Sequence, residues 1–236
     1  MKRAAVILAA FPELRAVERA LSNAGFACAG NGVFRSASVE VSLFLCGVGA
    51  KKLSYLKRNI HYFRQCDTVL CAGLAGGVSP EYCAGDCILP ETVASLTNIS
   101  EPIAVGESLR QTVLKCGTVP FKKCRLLALS SAIVRREQKT ALRSIDAVDM
   151  ESYRVMRWMG ERAVPAAVVR VIGDALDDYI PENDILLTAT RTQFRIIAKR
   201  CLKNPCCAGR ILKFVVRTRR ALKSLGRCIA KIVQEK

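Results

Sequence analysis

The chain has 236 residues, of which 51% are hydrophobic, and this is enough to bury the core of one α/β domain. Its formal net charge is +17, but the charge is uneven. Residues 191–236 carry fourteen Lys or Arg and one acid, whereas residues 1–190 carry 23 bases and 19 acids. No apolar run approaches the roughly 20 residues of a bilayer-spanning helix. We therefore divide the chain into a near-neutral domain, residues 1–190, and a basic extension, residues 191–236.

The first residues and the cysteines both favour a cytoplasmic protein. The start MKRAAVILAAF superficially looks like a signal peptide, but it lacks a small-residue cleavage site and continues directly into a helical pattern. The twelve cysteines have irregular spacings without a Cys-x-x-Cys pair, and the chain has one histidine. We expect reduced, mostly buried thiols and no metal site.

In chain order, short apolar runs alternate with helical patterns. We predict strands at AAVILAA, VEVSLFLCGVG, DTVLCAGLAGG, DCILPETV (broken by Pro90), CRLLALSSAIV and PAAVVRVIGD. We predict helices over residues 13–24, 50–63 and 135–144, and another within DAVDMESYRVMRWMGER. This alternation predicts a single α/β domain whose mainly parallel, twisted central sheet has helices on both faces. In such sheets, ligands bind at the carboxyl ends of the strands.

Glycines follow two of the predicted strands. GVG places Gly47 and Gly49 in one turn, and AGLAGG places Leu74, Ala75, Gly76 and Gly77 in another. Such turns let the backbone approach a ligand, although tight strand-to-helix connections are the more ordinary explanation of each. The sequence has no G-x-G-x-x-G and no G-x-x-x-x-G-K-[ST] motif, so it indicates neither a dinucleotide nor a nucleoside triphosphate site.

Carboxylates cluster after two other apolar runs. In AVDMES, Asp149 can cap a helix, but Glu151 beside the core needs a partner and can accept hydrogen bonds from two vicinal hydroxyls. In VIGDALDD, Asp174 ends a buried strand, either as a helix-start residue or as a proton donor to a ligand. We expect Asp177 and Asp178 to be solvated or capping residues.

The ordered set PEL, GVG, AGLAGGVSPEYCAGDCILP, AVDMES and VVRVIGDALDD resembles the purine nucleoside phosphorylase and nucleosidase superfamily, which includes the methylthioadenosine/S-adenosylhomocysteine nucleosidases. The similarity covers about residues 4–185. GLAGGVSP with GDCILP, and YIPEND with the basic tail, are similar to the hopanoid-associated phosphorylase branch, which is thought to remove adenine from adenosylhopane. The resemblance implies an enzyme that cleaves the N-glycosidic bond of an adenine nucleoside.

The resemblance also implies residue roles. Asp174 matches the general acid that protonates N7 of the leaving purine, and Met150 and Glu151 match the pair that contacts the ribose. Glu13 matches the glutamate that orients the attacking water in the nucleosidases, although an exposed carboxylate in a first helical turn is equally consistent with the sequence. Members of the family are commonly dimers, trimers or hexamers, so a homo-oligomer is implied.

The sequence departs from the nucleosidases at two positions. Their SDxAD pattern has a serine where this chain has Gly173, so a serine that would orient the acid is missing. Their GSAGG pattern has a serine where this chain has Leu74, and this change fits a bulky apolar 5′ substituent. We expect no cofactor. Inorganic phosphate is a candidate co-substrate, because the branch resemblance slightly favours phosphorolysis, whereas Glu13 favours water.

The basic extension has the pattern of an amphipathic helix. Ile211, Val215, Leu222, Leu225, Ile229 and Ile232 recur at spacings of three, four and seven, with Lys and Arg between them. Residues 208–236 are therefore either a helix docked on the body or a contact to anionic lipid at the inner face of the membrane.

A protein of another class remains an alternative: a basic nucleic-acid or membrane-surface binding protein without catalysis. Its nucleic-acid version is disfavoured, because Phe214 is the one aromatic residue of residues 208–236 and no stacking platform is visible. It would also leave the carboxylates at the strand ends without a purpose.

Overall fold

The structure is a computed structural model and describes residues 1–99, 101–115, 119–178, 180 and 205–234, the last range without the side chains of residues 205–208. The described residues form twelve strands: β1 Lys2–Leu8, β2 Ala27–Gly30, β3 Val33–Arg35, β4 Val39–Leu45, β5 Thr68–Gly77, β6 Cys87–Ile88, β7 Thr92–Ser95, β8 Ile103–Ala104, β9 Phe121–Lys122, β10 Arg125–Ala128, β11 Ala147–Asp149 and β12 Ala167–Asp174. The helices are α1 Phe11–Asn23, α2 Leu53–Arg58, α3 Ile60–Arg64, α4 Glu107–Lys115, α5 Arg136–Thr140, α6 Ser152–Gly160 and α7 Pro205–Gln234.

The predicted fold class is confirmed: the chain forms one α/β domain around a mixed, mostly parallel sheet. The main strand order is β2-β3-β4-β1-β5-β11-β10-β7-β8, and β12 pairs with β5 and β6. Strands β4, β1, β5 and β12 run parallel to one another, whereas β11 pairs antiparallel with β5. The carboxyl ends of the four parallel strands therefore lie along one edge of the sheet.

The core forms where the sequence is most apolar. Residues 4–8 of β1 are fully or almost fully buried, and so are residues 167–172 of β12, because helices cover both strands. In α1, Val17 and Leu21 face this core. Burial of such residues is the main stabilising contribution in a domain of this size.

Three predicted elements need correction. The predicted helix over residues 50–63 is a 3₁₀ turn, Val48–Ala50, followed by α2 and α3, which are separated at Asn59. DAVDMESYR begins as strand β11 rather than as a helix, so Asp149 ends a strand. DCILPETV gives two short strands, β6 and β7, on either side of Leu89–Glu91. Strands β2, β3, β8 and β9 and helix α4 were not predicted.

Helix α7 is docked on the body. Of the predicted apolar stripe, Ile211, Leu225, Ile229 and Ile232 are buried, and Val215 and Leu222 are half-buried. Helix α7 crosses α1 so closely that a Cβ at Gly226 would lie 2.5 Å from the carbonyl oxygen of Ala16. The apolar face therefore packs on the domain, while the outer face carries exposed Lys and Arg side chains. The proposed boundary at residues 190 and 191 lies outside the described residues.

Candidate functional site

Glu13 lies in the first turn of α1, the helix that follows β1, and backbone N–H groups hold its carboxylate. Its Oε2 accepts hydrogen bonds from the N–H groups of Ala9 and Ala10, each at 3.0 Å. Its Oε1 accepts one from the N–H of Leu74 at 2.8 Å. Glu13 is buried rather than exposed, so the alternative of a solvated first-turn carboxylate is wrong. Burial raises its pKa, and the nearby Arg170 guanidinium and the three N–H groups oppose this effect.

Arg170 joins Glu13 to two further acids and was not singled out from the sequence. Its Nη2 lies 2.6 Å from Oδ2 of Asp149 and 3.8 Å from Oε2 of Glu151. Burial disfavours the cation, but the carboxylates outweigh burial and raise the pKa of Arg170. We call Glu13, Asp149, Glu151 and Arg170 the carboxylate cluster. The available signal was a charged residue in the middle of the apolar strand AVVRVI.

The glycine at position 73 is required by this cluster. A Cβ there would lie 2.2 Å from Nη1 of Arg170 and 2.9 Å from Oε1 of Glu13. Nη1 of Arg170 is buried and has no hydrogen-bond partner in the part of the chain that the structure describes. A buried donor normally has a partner, so this N–H group marks a place for a ligand oxygen or a water molecule.

Glu151 connects α6 to the glycine turn after β4. Its Oε1 accepts a hydrogen bond from the N–H of Gly49 at 2.8 Å, and Arg154 donates to the carbonyl of Gly49 at 2.9 Å. Gly47 and Gly49 have φ of 73° and 66°, a region in which glycine is favoured. Burial raises the pKa of Glu151 to about 7. The structure thus brings the turn with Gly47 and Gly49 into contact with Glu151.

Asp149 supports the same region. Both of its carboxylate oxygens accept from the N–H of Ser152, Oδ2 at 3.2 Å, and the Ser152 hydroxyl donates to Oδ2. Arg170 donates to the Ser152 hydroxyl at 2.9 Å. Asp149 therefore bonds to the first turn of α6, as the sequence allowed, and pairs with a buried guanidinium as well.

Asp174 lies at the carboxyl end of β12, beside Gly76. The two residues are register partners, and a Cβ at Gly76 would lie 3.2 Å from Oδ2 of Asp174. Lys139 of α5, which is 1% exposed, donates from Nζ to Oδ2 of Asp174 at 2.6 Å. Burial raises the pKa of Asp174, whereas Lys139 and Arg217 act to lower it. Lys139 stands in the polar stretch RREQKT, which gave no signal of a buried role.

The two acids after Asp174 are occupied by ion pairs and a turn. Asp177 is exposed and pairs with Arg136. Asp178 accepts a hydrogen bond from the N–H of Ala175 at 2.6 Å and pairs with Arg217 of α7 at 2.7 Å. Their predicted structural role agrees with these contacts.

Asp174 and Glu13 lie along the same stretch of β5. The side chains of Glu13 and Arg170 lie against Gly73. The side chain of Asp174 lies against Gly76, which is three residues further along the strand. Three residues of a strand span roughly 10 Å. Gly77 adjoins the backbone of Asp174, and Ala75 of the same strand is buried. Leu74 is half-buried and lies next to Gly173, so the two departures from the nucleosidase pattern are neighbours.

A groove with a volume of about 430 Å³ opens beside Met150. Its apolar walls include Leu53, Leu96, Leu129 and Trp158. Its basic side chains are Lys57, Arg154, Arg157 and Arg162. The volume is within the range of small-molecule sites.

The described residues contain no cluster of three or more His, Cys, Asp or Glu arranged to hold a metal ion. They also include no helix long and apolar enough to cross a bilayer. Eight cysteines have described side chains, and none of these eight forms a disulfide: Cys46, Cys71, Cys124 and Cys228 are buried, Cys66 and Cys87 are half-buried, and Cys28 and Cys83 are exposed. The side chains of Cys116, Cys201, Cys206 and Cys207 lie outside this part of the chain.

Comparison with solved structures shows the same fold. Futalosine hydrolase of Helicobacter pylori strain 26695 is 15% identical with a TM-score of 0.70, over 100% of this chain and 98% of that chain. The 5′-methylthioadenosine/S-adenosylhomocysteine nucleosidase of Campylobacter jejuni is 16% identical with a TM-score of 0.70, over 100% of both chains. That of Helicobacter pylori, in complex with butyl-thio-DADMe-Immucillin-A, is 16% identical with a TM-score of 0.71, over 100% of this chain and 99% of that chain.

Sequence comparison gives the family. No curated protein matches the chain. Residues 4–204, however, match the phosphorylase superfamily. This span contains the carboxylate cluster, Lys139 and Asp174. The chain therefore belongs to the phosphorylase superfamily, a superfamily of enzymes.

Proposed function

We propose that the protein hydrolyses the N-glycosidic bond of an adenine nucleoside, with Asp174 as general acid and Glu13 as the residue that orients the attacking water. The observation that carries this proposal is the placement of the two carboxyl groups at Gly73 and Gly76 of β5. Both glycines belong to the carboxyl-terminal half of β5, and ligands bind at this end of the strands in such sheets.

Asp174 suits proton donation to the leaving base. Adenine leaves readily only after its N7 is protonated, because the bond breaks with positive charge developing on the sugar. Burial raises the pKa of Asp174, so its carboxyl group keeps its proton at a higher pH than a solvated aspartate does. Transfer of this proton from Asp174 to N7 leaves a carboxylate, and neutral adenine departs.

Glu13 is suited to accept a proton from the attacking water. The three N–H groups and Arg170 stabilise its ionised form, and burial brings its pKa towards the operating pH. A water molecule can accept from the unpartnered Nη1 of Arg170 and donate to Glu13. Its oxygen then bonds to the anomeric carbon, and its proton passes to Glu13.

Water is favoured over phosphate by charge. The carboxylate cluster has three buried acids and one buried guanidinium, so a phosphate dianion would enter a region of like charge. Phosphorolysis, which the branch resemblance favoured, is therefore the second candidate, and inorganic phosphate is its co-substrate. Glu151, with Met150, is assigned to the ribose: its Oε2 is directed towards Arg170, and its Oε1 is held by Gly49.

The groove beside Met150 is assigned to the 5′ substituent. Its volume of about 430 Å³ can hold a substituent larger than a methylthio group, which would contact the apolar part of the lining and leave the four basic side chains at its margin to solvent or to polar groups. The hopanoid side chain of adenosylhopane is the apolar candidate that the sequence resemblance names. The half-buried Leu74 side chain is consistent with an apolar substrate region.

The test is adenine release, followed by chromatography, from 5′-methylthioadenosine, adenosine and adenosylhopane, with and without phosphate. We expect release without phosphate, free sugar as the second product, and at least about 100-fold slower turnover in Glu13→Gln. Glu18→Gln, a surface change in the same helix, is the control and should behave as the wild type does. A sugar 1-phosphate formed only with phosphate would establish phosphorolysis instead. No adenine from any nucleoside would contradict the proposed function.

A further inference from the structure

We propose that Lys139 is the positioning residue of the general acid: it fixes the orientation of the Asp174 carboxyl group and sets the pH range over which Asp174 can donate a proton. This inference rests on the proposed function for its kinetic consequence. Its geometric basis is independent of substrate, because Lys139 and Asp174 contact each other directly.

The first observation is the depth and completeness of the lysine's contacts. Lys139 is 1% exposed, and a lysine is almost never that deeply buried without a partner. Its Nζ donates to Oδ2 of Asp174 at 2.6 Å and to the carbonyl of Ala175 at 2.7 Å. The ammonium group therefore bridges the acid and the backbone of the residue after it.

The second observation is the absence of a side chain at position 173. Where the nucleosidases that the sequence resembles have a serine before the acid, this chain has Gly173, which cannot orient a carboxyl group. The Asp174 side chain is 19% exposed, so without a partner it could rotate. Because Lys139 holds Oδ2, Oδ1 is the oxygen to which this proposal assigns proton donation. One buried ammonium thus supplies the orientation that a hydroxyl group would otherwise give.

The third observation is that the other charged groups near Asp174 are engaged elsewhere. Arg217 of α7 is paired with Asp178 at 2.7 Å, and Arg136 of α5 is paired with Asp177. Asp178 itself accepts from the N–H of Ala175 and adds a negative charge that opposes the effect of Arg217. Lys139 is therefore the cation that contacts Asp174 in the described part of the chain.

These contacts predict a definite pH effect. An adjacent cation favours the carboxylate over the carboxylic acid, so Lys139 lowers the pKa of Asp174 and opposes the effect of burial. Since Asp174 must hold a proton to act, activity is lost as pH rises through its pKa. Replacing Lys139 by methionine removes the opposing cation and should move this loss to higher pH. Loss of orientation should also lower kcat, by about 10- to 100-fold.

The experiment compares the wild type with Lys139→Met and Lys139→Arg. The Asp174 carboxyl group is titrated by carbon-13 NMR in the free protein, with Asp174→Asn used to assign its signal, and kcat/KM for adenine release is measured against pH. We expect the pKa of Asp174 to rise in Lys139→Met, the alkaline limb of the kcat/KM profile to move in the same direction, and Lys139→Arg to remain closer to wild type in both.

A matched control is available. Lys122 donates to Asp86 at 2.7 Å, a similar ion pair away from the site, so Lys122→Met should leave both the Asp174 titration and the pH profile unchanged. If the pKa of Asp174 is the same in the wild type and in folded Lys139→Met, the proposal is overturned. If Lys139→Met does not fold, Lys139→Gln, which also removes the cation, takes its place beside Lys139→Arg. An Asp174 pKa in Lys139→Gln equal to that of the wild type then overturns the proposal.

The NMR measurement separates this proposal from the proposed function. A rise in the pKa of Asp174 in a protein that releases no adenine would leave Lys139 as the partner of Asp174 and remove the proposed reaction. Release of adenine with an unchanged pKa and an unchanged pH profile in Lys139→Met would retain the reaction and remove Lys139 from its positioning role.

Discussion

At the scale of the residue, the site depends on carboxyl groups taken out of water. Glu13, Glu151 and Asp174 all have pKa values raised above the ordinary range, and burial is the largest cause in each case. A raised pKa means that the folded chain binds more protons than the unfolded chain between the two pKa values. Each of these groups therefore makes folding less favourable as pH rises through that interval.

Glu151 allows this linkage to be measured. Its pKa is raised from 4.5 to about 7, so its contribution should reduce the free energy of unfolding as pH rises from 4.5 to 7, by up to about 3 kcal/mol. In Glu151→Gln the free energy of unfolding should fall less over this range than in the wild type. Urea titrations at several pH values test it, with Glu101→Gln, an exposed position, as the control. An equal slope in the wild type and Glu151→Gln would refute it.

Residue by residue, the sequence predicted the acids better than the cations. Asp174, Glu13 and Glu151 each follow an apolar run, a pattern that is visible in sequence. Lys139 is separated from Asp174 by 35 residues and belongs to a polar helix, so its burial depends on the tertiary contact between α5 and the end of β12. Arg170 could have been found, because a charged residue among the five apolar residues of AVVRVI requires a buried partner.

At the scale of the element, α7 contacts the two segments of the chain that carry the proposed catalytic acids. It packs on α1, which carries Glu13, and its Arg217 pairs with Asp178 in the segment after Asp174. The periodicity of α7 predicted an amphipathic helix but left its apolar face with two possible surfaces, the body and a membrane. The structure shows that the body covers it. The reason was not readable from the sequence, because it lies in the close crossing with α1 at Gly226.

This crossing gives a prediction about stability. Gly226→Ala should destabilise the fold by about 1–3 kcal/mol, because its Cβ would lie 2.5 Å from the Ala16 carbonyl oxygen and 3.0 Å from the Cβ of Ala20. Gly209→Ala in the same helix meets nothing within 4 Å and should be stabilising by up to about 1 kcal/mol through helix propensity alone. Thermal unfolding of both variants provides the comparison. A stabilised Gly226→Ala would mean that the two helices do not cross this closely.

The sequence located the elements that have a strong local pattern and missed those that depend on tertiary pairing. The strand-to-glycine pattern located β4 and β5, and the buried run located β12. The helix predicted over residues 50–63 is interrupted because Asn59 leaves helical geometry between α2 and α3. The short strands β2, β3, β8 and β9 have two to four residues each, and pairing within the sheet rather than any local pattern determines them.

At the scale of the whole molecule, α7 carries eight Lys or Arg and no acid, and its outer face is basic. The exposed cations there include Arg219, Arg220, Lys223 and Arg227. We predict that any binding to anionic vesicles depends on this face. Replacing these four residues by Gln should reduce sedimentation with phosphatidylserine vesicles at low salt while thermal unfolding stays unchanged.

Deletion of residues 208–236 is a poor version of this test, since it would expose the core surface under Leu225, Ile229 and Ile232 and should unfold the domain. Equal vesicle binding by the wild type and the four-residue variant would contradict a role for the basic face. Salt-sensitive binding of the wild type to duplex DNA in place of vesicles would favour the alternative of a nucleic-acid-binding protein.

The central claim is that Asp174 donates the proton on which adenine departure depends. The most direct measurement is the rate of adenine release from 5′-methylthioadenosine, adenosine and adenosylhopane by the wild type and Asp174→Asn, side by side. Asparagine keeps the shape of the side chain and removes the transferable proton. The account predicts release by the wild type and a loss of about 100- to 10,000-fold in Asp174→Asn. Equal rates in the two proteins would contradict it.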